Sequence, residues 1–562
     1  MGSTGHATRP DRALVDVFVP APSGSAALDR AQRFVSEGVI AHPGLPDLPY
    51  AEGACWTDPL PRTHARYVHG MLFVADWHHT LLAQADPSAA VDTLADLFLR
   101  WSEVVATLTD TSMAYHDETT AQRLMQIVRF LDDHGDSLDP PRREALVGLA
   151  SSTASLLLDE SFHGGPNNHG MFQDLTLLRY AAGGAWLPAE PDVDEVVRVA
   201  LTRLVDYFTV AFAKDGVHVE NSPGYHLMVA RFLRDVLPVM QSLMPDQGKT
   251  LEAIYRGAQR FAVHSILPNG KLAPLGDTKV VRVRDTVHRT TFSGPGYKYA
   301  ISERRQGRPP RERTAVFPHG GYAFHRTSWR DPDAYVVGFK AAYLSQYHHH
   351  NDDLALTVFG KGRWLLTEAG PYGYDYASPL TKYAFSQFAH NVALIDGRSL
   401  PRVDSEPQGV TLRDLAEPDG KYRLRVRGIN ERYRDARHSR GVVVREPQGN
   451  LEVAVADTFQ PVDRADHDFT VLWHVGPELE TVLHGDGAAL WADGVKVLEL
   501  TWSGQSQVAA SIVTPRETGS VQAMRFPEFG RHEPATVIQL RSRGPRLSLR
   551  TIIRNGNWAY DS

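Results

Sequence analysis

The sequence predicts an α+β multidomain chain, an α-helical half followed by an all-β half. Three observations carry this reading. Apolar residues recur at helical spacing over 91–267. A charged, proline-containing break follows at Glu303-Arg304-Arg305-Gln306-Gly307-Arg308-Pro309-Pro310-Arg311. Beyond it the apolar period shortens to two, and turn residues separate short runs.

The helical elements come first. Val193, Val196, Val197, Leu201, Leu204, Val205 and Phe208 fall at i, i+3, i+4 and i+7, behind an Asp192 placed to cap the start. Similar stripes run through Val91-Leu94-Phe98-Trp101-Val105, through Leu124-Ile127-Val128-Leu131, and over 141–158, 225–243 and 251–267. Short connections imply antiparallel neighbours, so a helical array or a closed toroid of hairpins is expected. No fixed-period repeat names a solenoid. Candidate strands are 334–341, 354–360, 363–368, 391–395, 422–429, 451–458, 469–475, 495–502, 507–513, 536–541 and 547–554. Tyr422-Arg423-Leu424-Arg425-Val426-Arg427 alternates cleanly and puts its arginines on one face. So many short strands predict an antiparallel sandwich. The expected division is a helical domain over 1–302, a solvated linker over 303–314 and a β domain over 315–562.

Composition narrows the function. A chain of 562 residues is too long for one ordinary core. A net charge of -7 offers no global basic field for nucleic acid, so an anionic ligand must be drawn locally. The single cysteine, Cys55, excludes an intrachain disulfide framework and reads as a small buried apolar residue. Met1–Ser23 lacks a 7–15-residue apolar core, and no run approaches 18 apolar residues. No membrane partner is expected, and the expected location is cytoplasmic.

The densest cluster of chemistry-bearing residues is Tyr347-His348-His349-His350-Asn351-Asp352-Asp353. Such groups are costly to bury unless they hold a metal, a proton or an anion. Read as a strand, the cluster points His348, His350 and Asp352 one way and His349, Asn351 and Asp353 the other. Three further places stand out. Asn167-Asn168-His169-Gly170 opens a helical stretch, where asparagines cap or, with an imidazolium and the helix N-terminus, bind a carboxylate. Glu220-Asn221-Ser222-Pro223-Gly224-Tyr225-His226 opens another and offers a phenol for proton transfer. Finally, His350, Glu368 and His390, from successive strands, form a reasonable tetrahedral zinc set, with ordinary hydrogen-bonded histidines as the competing reading.

In order along the chain, these pieces resemble the heparinase II/III family of polysaccharide lyases and related uronate lyases. The resemblance spans Asn168-His169-Gly170, Ser222-Pro223-Gly224-Tyr225-His226, Gly276-Asp277-Thr278 and Phe317-Pro318-His319-Gly320-Gly321-Tyr322. It continues through His348-x-His350-x-Asp352-Asp353-Leu354, Leu365-Leu366-Thr367-Glu368-Ala369-Gly370 and Ala389-His390-Asn391. It implies an incomplete (α/α) toroid joined to an antiparallel β-sandwich, with the active site between them. By role, it implies that Asn168 and His169 bind a uronate carboxylate. Tyr225 becomes an acid, or acid and base together, and His348 a base or carboxylate neutraliser. His350, Glu368 and His390 become ligands of a structural Zn2+. The family commonly has aspartate where Glu368 stands. Asn167, Glu220, His226, Tyr372 and Tyr376 complete the candidate substrate contacts, and Tyr374 and Tyr383 also follow the zinc carboxylate.

The implied reaction is β-elimination on an anionic oligo- or polysaccharide. The proton removed is weakly acidic while the neighbouring carboxylate is an anion. A positive group at about 4 Å and an effective dielectric of about 20 contributes roughly 4 kcal/mol, and only the part gained in the transition state lowers the barrier. Enzymes lower barriers by roughly 8–23 kcal/mol, so a positioned base and acid must add to it. With Tyr225 and His348 expected from different halves, their separation depends on the interdomain angle. Imported oligosaccharides are the expected substrates, and a homo-oligomer is compatible with the sequence. A uronyl C5-epimerase on the same scaffold, a zinc-dependent hydrolase and a non-catalytic glycan-binding protein are the alternatives.

Overall fold

The computed structural model describes residues 9–19, 22, 24–42, 45–403, 409–416, 420–516 and 521–556. Much of the stretch Met1–Ser23, read as lacking the apolar core of a leader, therefore lies outside the described residues. The helices follow the predicted stripes: α1 Ser88–Val105, α2 Asp117–His134, α3 Pro140–Leu158, α4 Asn168–Ala181, α5 Val193–Ala211, α6 Pro223–Leu243 and α7 Pro245–Ser265. Their starts are chemically marked. Asp139 accepts from Arg142 N ahead of the proline that opens α3, and the Asp192 carboxylate accepts from Asp194 N ahead of α5. Consecutive members pack as hairpins, α2 on α3 and on α4, and α4 on α5. Leu124, Ile127, Leu146, Leu177 and Leu204 are wholly buried there. The helical part also holds a hairpin, Val39–His42 paired with Leu45–Pro49, which the helical reading had not included. Cys55 is buried, and burial pushes its thiol up to about 12.

The chain separates into two compact units, 1–211 with 232–252, and 212–231 with 253–562. This division falls inside α6 and α7 and not in the predicted linker, because residues of the α5–α6 turn and α7 share a core with the first strands. That core contains Val217, Phe261, Leu275, Phe317, Tyr322 and Phe324, with the Phe261 ring 5.0 Å from Tyr322 and 5.3 Å from Phe317. The stretch 302–313 itself carries no helix or strand, lying between α8 (Pro295–Ile301) and β1 (Thr314–Phe317).

The second unit is an antiparallel sandwich. Its strands are β1, β2 Tyr322–Arg326, β3 Val336–Lys340, β4 Ala355–Gly360, β5 Arg363–Leu366, β6 Ala393–Ile395 and β7 Val410–Asp414. They continue as β8 Leu424–Asn430, β9 Ala436–Arg445, β10 Glu452–Pro461, β11 His467–Val475, β12 Glu480–His484 and β13 Gly487–Ala492, and then as β14 Val495–Gly504, β15 Ala509–Val513, β16 Thr536–Gly544 and β17 Leu547–Asn555. One sheet has nine strands, ordered β15-β16-β11-β5-β4-β3-β2-β1 with β6 paired to β11. The other has eight, ordered β12-β13-β14-β17-β10-β9-β8-β7. The two inner faces meet in one core that includes Val337, Leu356 and Trp473 from the first sheet and Val426, Val442, Val453 and Ile553 from the second.

Inside that core a buried ion pair braces the loops that carry the site. Arg440 on β9 donates from Nε and Nη2 to Asp457 on β10 at 2.7 and 3.0 Å, and His438 Nε2 lies 2.9 Å from the same carboxylate. Arg440 Nη1 reaches across to the carbonyls of Leu354, at 2.8 Å, and Asn391. Burial raises Asp457's affinity for a proton, but Arg440 and the His438 hydrogen bond outweigh it and keep the carboxyl below its ordinary value.

Candidate functional site

Three chain segments of the second unit are tied together by side-chain hydrogen bonds. Asn221, at φ 59°, donates from its side-chain amide to the carbonyls of Ser345 (2.7 Å) and Tyr347 (3.0 Å) and accepts from Leu344 N at 3.2 Å. This clamps the loop before His348 to the start of α6. The Ser222 and Thr278 hydroxyls are 2.9 Å apart and tie in the segment 276–278. Gly276, at φ 55°, admits no side chain: a Cβ there would lie 2.3 Å from the Asn221 carbonyl oxygen and 3.2 Å from that of His348.

The histidine cluster is a turn and not a strand; β4 begins only at Ala355. His348 sits at φ 52°, so the alternation expected of a ribbon does not apply and no bulge is needed to reconcile His348 with His350. Both face one carboxylate. His348 Nδ1 lies 3.0 Å from Asp277 Oδ2, and His350 Nε2 lies 2.7 Å from Asp277 Oδ1. Burial works against charge on Asp277, yet the hydrogen bonds from His348 and His350 prevail and hold its carboxyl well below the usual carboxylate range. An ionised carboxylate only accepts, so both imidazoles present N–H to it. In its neutral form His348 then carries its lone pair on Nε2, which lies 3.5 Å from Glu220 Oε2.

Tyr225 completes the group. Its ring stacks on His348 with centroids 3.4 Å apart and planes at 18°. Its hydroxyl is 3.2 Å from that of Tyr374. Tyr225 and His348 belong to the same compact unit, not to different halves as expected, so their spacing is fixed locally. Proton-transfer groups of both kinds are thus held within contact distance of each other.

His350, Glu368 and His390 are all buried, and the His350 and His390 ring centres are 5.4 Å apart. Two imidazoles on one zinc, at about 2.0–2.1 Å each, have centres roughly 5 Å apart. His350 Nδ1 and His390 Nε2 are buried and have no hydrogen-bond partner among the described residues, which suits metal donors. Glu368 is placed otherwise. Its Oε2 lies 2.5 Å from His390 Nδ1 and its Oε1 accepts from Asn391 N at 3.2 Å, so it orients His390 as carboxylates behind metal-binding histidines do. Two donor trios converge among the described residues, His116–Asp117–His169 and His349–Asp352–Asp353, and the predicted trio is neither. The two histidines fit a zinc; the glutamate as oriented serves one of them.

In the first unit, Asn167 is the N-cap of α4: its Oδ1 accepts from His169 N at 2.8 Å and Gly170 N at 3.3 Å, and its amide donates to Gly164 O. Its polar atoms are committed to the helix end, which corrects its reading as a substrate contact. Asn168 is half-buried at the first helical position. His169 Nδ1 is 3.1 Å from Asp117, and its Nε2 is 3.4 Å from Glu118, which also pairs with Arg66.

Other predicted contacts divide. Glu220 lies at the site. His226 does not: it is buried, its Nδ1 accepts from His218 N at 3.2 Å, and its Nε2 bonds Ala258 O at 2.9 Å. Burial lowers its pKa to about 4, so it is a neutral core residue. Tyr372 packs on Phe526, and Tyr376 on Phe385 with Arg402 over its ring; Tyr374 is the tyrosine that reaches Tyr225. His349 turns away to Asp353 at 3.0 Å and Arg402 O at 2.9 Å. Sequence reasoning missed the part played by Asp277; the Gly-Asp pair beside two invading loops is its only signal.

Comparison with known proteins matches this architecture. The family profile "Heparinase II/III-like, C-terminal" matches residues 309–554. Over those residues the chain is similar to the C-terminal domain of heparinase II/III-like proteins. Across the whole chain the fold is that of solved polysaccharide lyases. Heparinase III superposes with a TM-score of 0.74 at 15% identity, covering 100% of this chain and 89% of that one. Heparan sulfate lyase HepC from Pedobacter heparinus gives 0.69 at 15% identity over 98% and 87%. Chondroitin AC lyase of Streptomyces coelicolor A3, solved in complex with chondroitin sulphate, gives 0.54 at 10% identity over 98% and 83%. No curated protein matches the sequence. Among the described residues, no helix is long and apolar enough to cross a membrane.

Proposed function

We propose that the protein is a lyase that cleaves a uronic-acid-containing glycan by β-elimination. The observation that carries this is the Tyr225–His348 stack, with the far side of the imidazole held by ionised Asp277. In this reading His348 Nε2 takes the proton from C5 of the uronate. The electron pair becomes the C4=C5 double bond, and the C4–O bond breaks. Tyr225 gives its phenolic proton to the departing glycosidic oxygen, and Tyr374, hydroxyl to hydroxyl with Tyr225, supports it. In the first unit, Asn168 and His169 at the start of α4 are the residues assigned to hold an anionic group of the substrate.

A structural zinc fits this reading in part. His350 and His390 would hold it, with Glu368 fixing the His390 ring, and it would tie the loop after His348 to the sandwich. When bound it contributes cross-linking of the fold.

The test is the ultraviolet absorbance of the unsaturated product on a panel of glycuronans and sulfated glycosaminoglycans. Turnover that survives both Tyr225→Phe and His348→Gln defeats the assignment. Deuterium entering C5 from solvent without chain cleavage in the wild type selects the epimerase instead. The same exchange in Tyr225→Phe alone identifies His348 as the base.

A further inference from the structure

The outer face of the eight-stranded sheet carries charge that its own fold leaves unbalanced. On β8, Leu424 and Val426 enter the core, so Arg425 and Arg427 turn outward. Register sets Arg413 of β7 directly opposite Arg427. The same row continues through Gly441 and Ala456 to Arg550 and Ser503. Arg413, Arg427 and Arg550 are exposed, and none has a carboxylate partner among the described residues. Other arginines of this face are matched: Arg437, which lines the same hollow, lies 3.1 Å from Glu431, and Arg554 lies 2.9 Å from Glu452.

Like charges directly opposite in a sheet oppose folding, and here they stand in a protein of net charge -7. Between the arginines the row has almost no side chain. A Cβ built on Gly441 would meet only the Ala456 Cβ, at 4.0 Å, so the sheet is open there. The resulting trough, 340 Å³, is walled by Arg413, Arg427 and Arg437 and by Ser439, Thr458 and Gln460. With strands about 4.8 Å apart, Arg427 and Arg550 stand roughly 14 Å from each other, room for a chain to lie across the strands.

We propose that this trough binds a polyanionic glycan, its arginines taking carboxylate or sulfate groups and its hydroxyl and amide side chains the sugar hydroxyls. It is a site distinct from the Tyr225–His348 group, which is built from loops tied to the other sheet. The choice of a glycan rests on the lyase reading above. The trough lining holds no aromatic ring on which an unpaired base could stack.

The experiment measures binding of heparin and, separately, of alginate to the full chain carrying Tyr225→Phe, so that neither probe is consumed. Removing the row with R413A/R427A/R550A is expected to weaken binding by about tenfold or more and to flatten its dependence on log salt by roughly two to three. Gly441→Glu places an anion in the trough without removing an arginine; Gly441 is not in left-handed backbone, so it tolerates the change, and a similar loss is expected. Arg541→Ala/Arg543→Ala, on the other sheet, is expected to leave binding near the parent value. The proposal is overturned if the triple variant binds like its parent, if the control pair loses as much, or if a DNA oligonucleotide outcompetes both glycans at equal charge. Wild-type turnover of short oligosaccharides separates the two readings. Arginine-dependent binding without any cleavage sinks the lyase assignment and keeps this site, and cleavage with arginine-independent binding does the reverse.

Discussion

The His348–Asp277 and His169–Asp117 pairs use the same chemical parts and differ in their access to water. The side chains of the first are 17% and 1% exposed, and those of the second 31% and 25%. Asp277 gives one oxygen to each of two imidazoles and is shielded from solvent, so the proton positions on both rings are dictated. Asp117 is shared among His169, His116 and the Glu118 amide at the surface. Its carboxyl is lowered as well, with burial opposing and His169 favouring the charged form. A dry carboxylate fixes which ring nitrogen can act; a wet one keeps an imidazole near an anion without dictating its role. The buried pair suits proton transfer and the exposed pair suits holding a charged substrate group.

The comparison can be broken most forcefully at Tyr225. Replacement by phenylalanine keeps the ring stacked on His348 and removes the proton, and should lower kcat by about a thousandfold, within the usual range for acid–base groups. Asp277→Asn should follow, at roughly a hundredfold or more in kcat with little change in KM, because an amide faces one imidazole N–H with another donor. Asp117→Asn should cost less and act mainly on KM. Equal losses in kcat from the two Asp→Asn variants would erase the distinction between dry and wet pairs.

A wholly buried histidine sharpens it further. His226 is held neutral with a pKa near 4, below the ordinary value of about 6.5. The unfolded chain therefore binds the extra proton first. The stability this residue supports is full above pH about 6.5 and is lost as pH falls toward 4, by roughly 3 kcal/mol at most. Denaturant titrations across that range should show the loss, and His226→Phe should flatten it. For the zinc, elemental analysis of protein purified without chelator should find about one equivalent, and His350→Ala or His390→Ala should abolish it and lower Tm. The smallest effect belongs to Asn167→Ala, which removes the cap of the helix presenting His169 and should cost about 1 kcal/mol, measured by urea unfolding.

Periodicity was enough to read the two-part architecture, because amphipathic stripes and alternating strands are local properties of the chain. Strands β1, β2, β7, β9, β12 and β13 escaped notice. Tyr322–Arg326 is buried at every position and has no alternation to read. In β9, His438 and Arg440 point inward as a buried ion-pair network, which inverts the expected pattern. At the site, Tyr225 and His348 were legible as an acid and base of one reaction, but neither their direct stacking nor the approach of Glu220 was, since that meeting depends on the clamp at Asn221. His226 and Asn167 were misread for the opposite reason: each is a polar residue fully satisfied by its own neighbourhood, which only hydrogen-bond geometry reveals.

Gly276 has a consequence for how such a site can be sought and altered. Where a methyl group would strike one carbonyl and crowd a second, no side chain can be installed by a single substitution, however mild. The adjoining Gly-Asp pair is thus a keystone that mutational drift cannot cross in small steps. Libraries aimed at new substrates should leave positions 276 and 277 untouched and spend their diversity on exposed positions outside the Tyr225–His348–Tyr374 group, such as Tyr376.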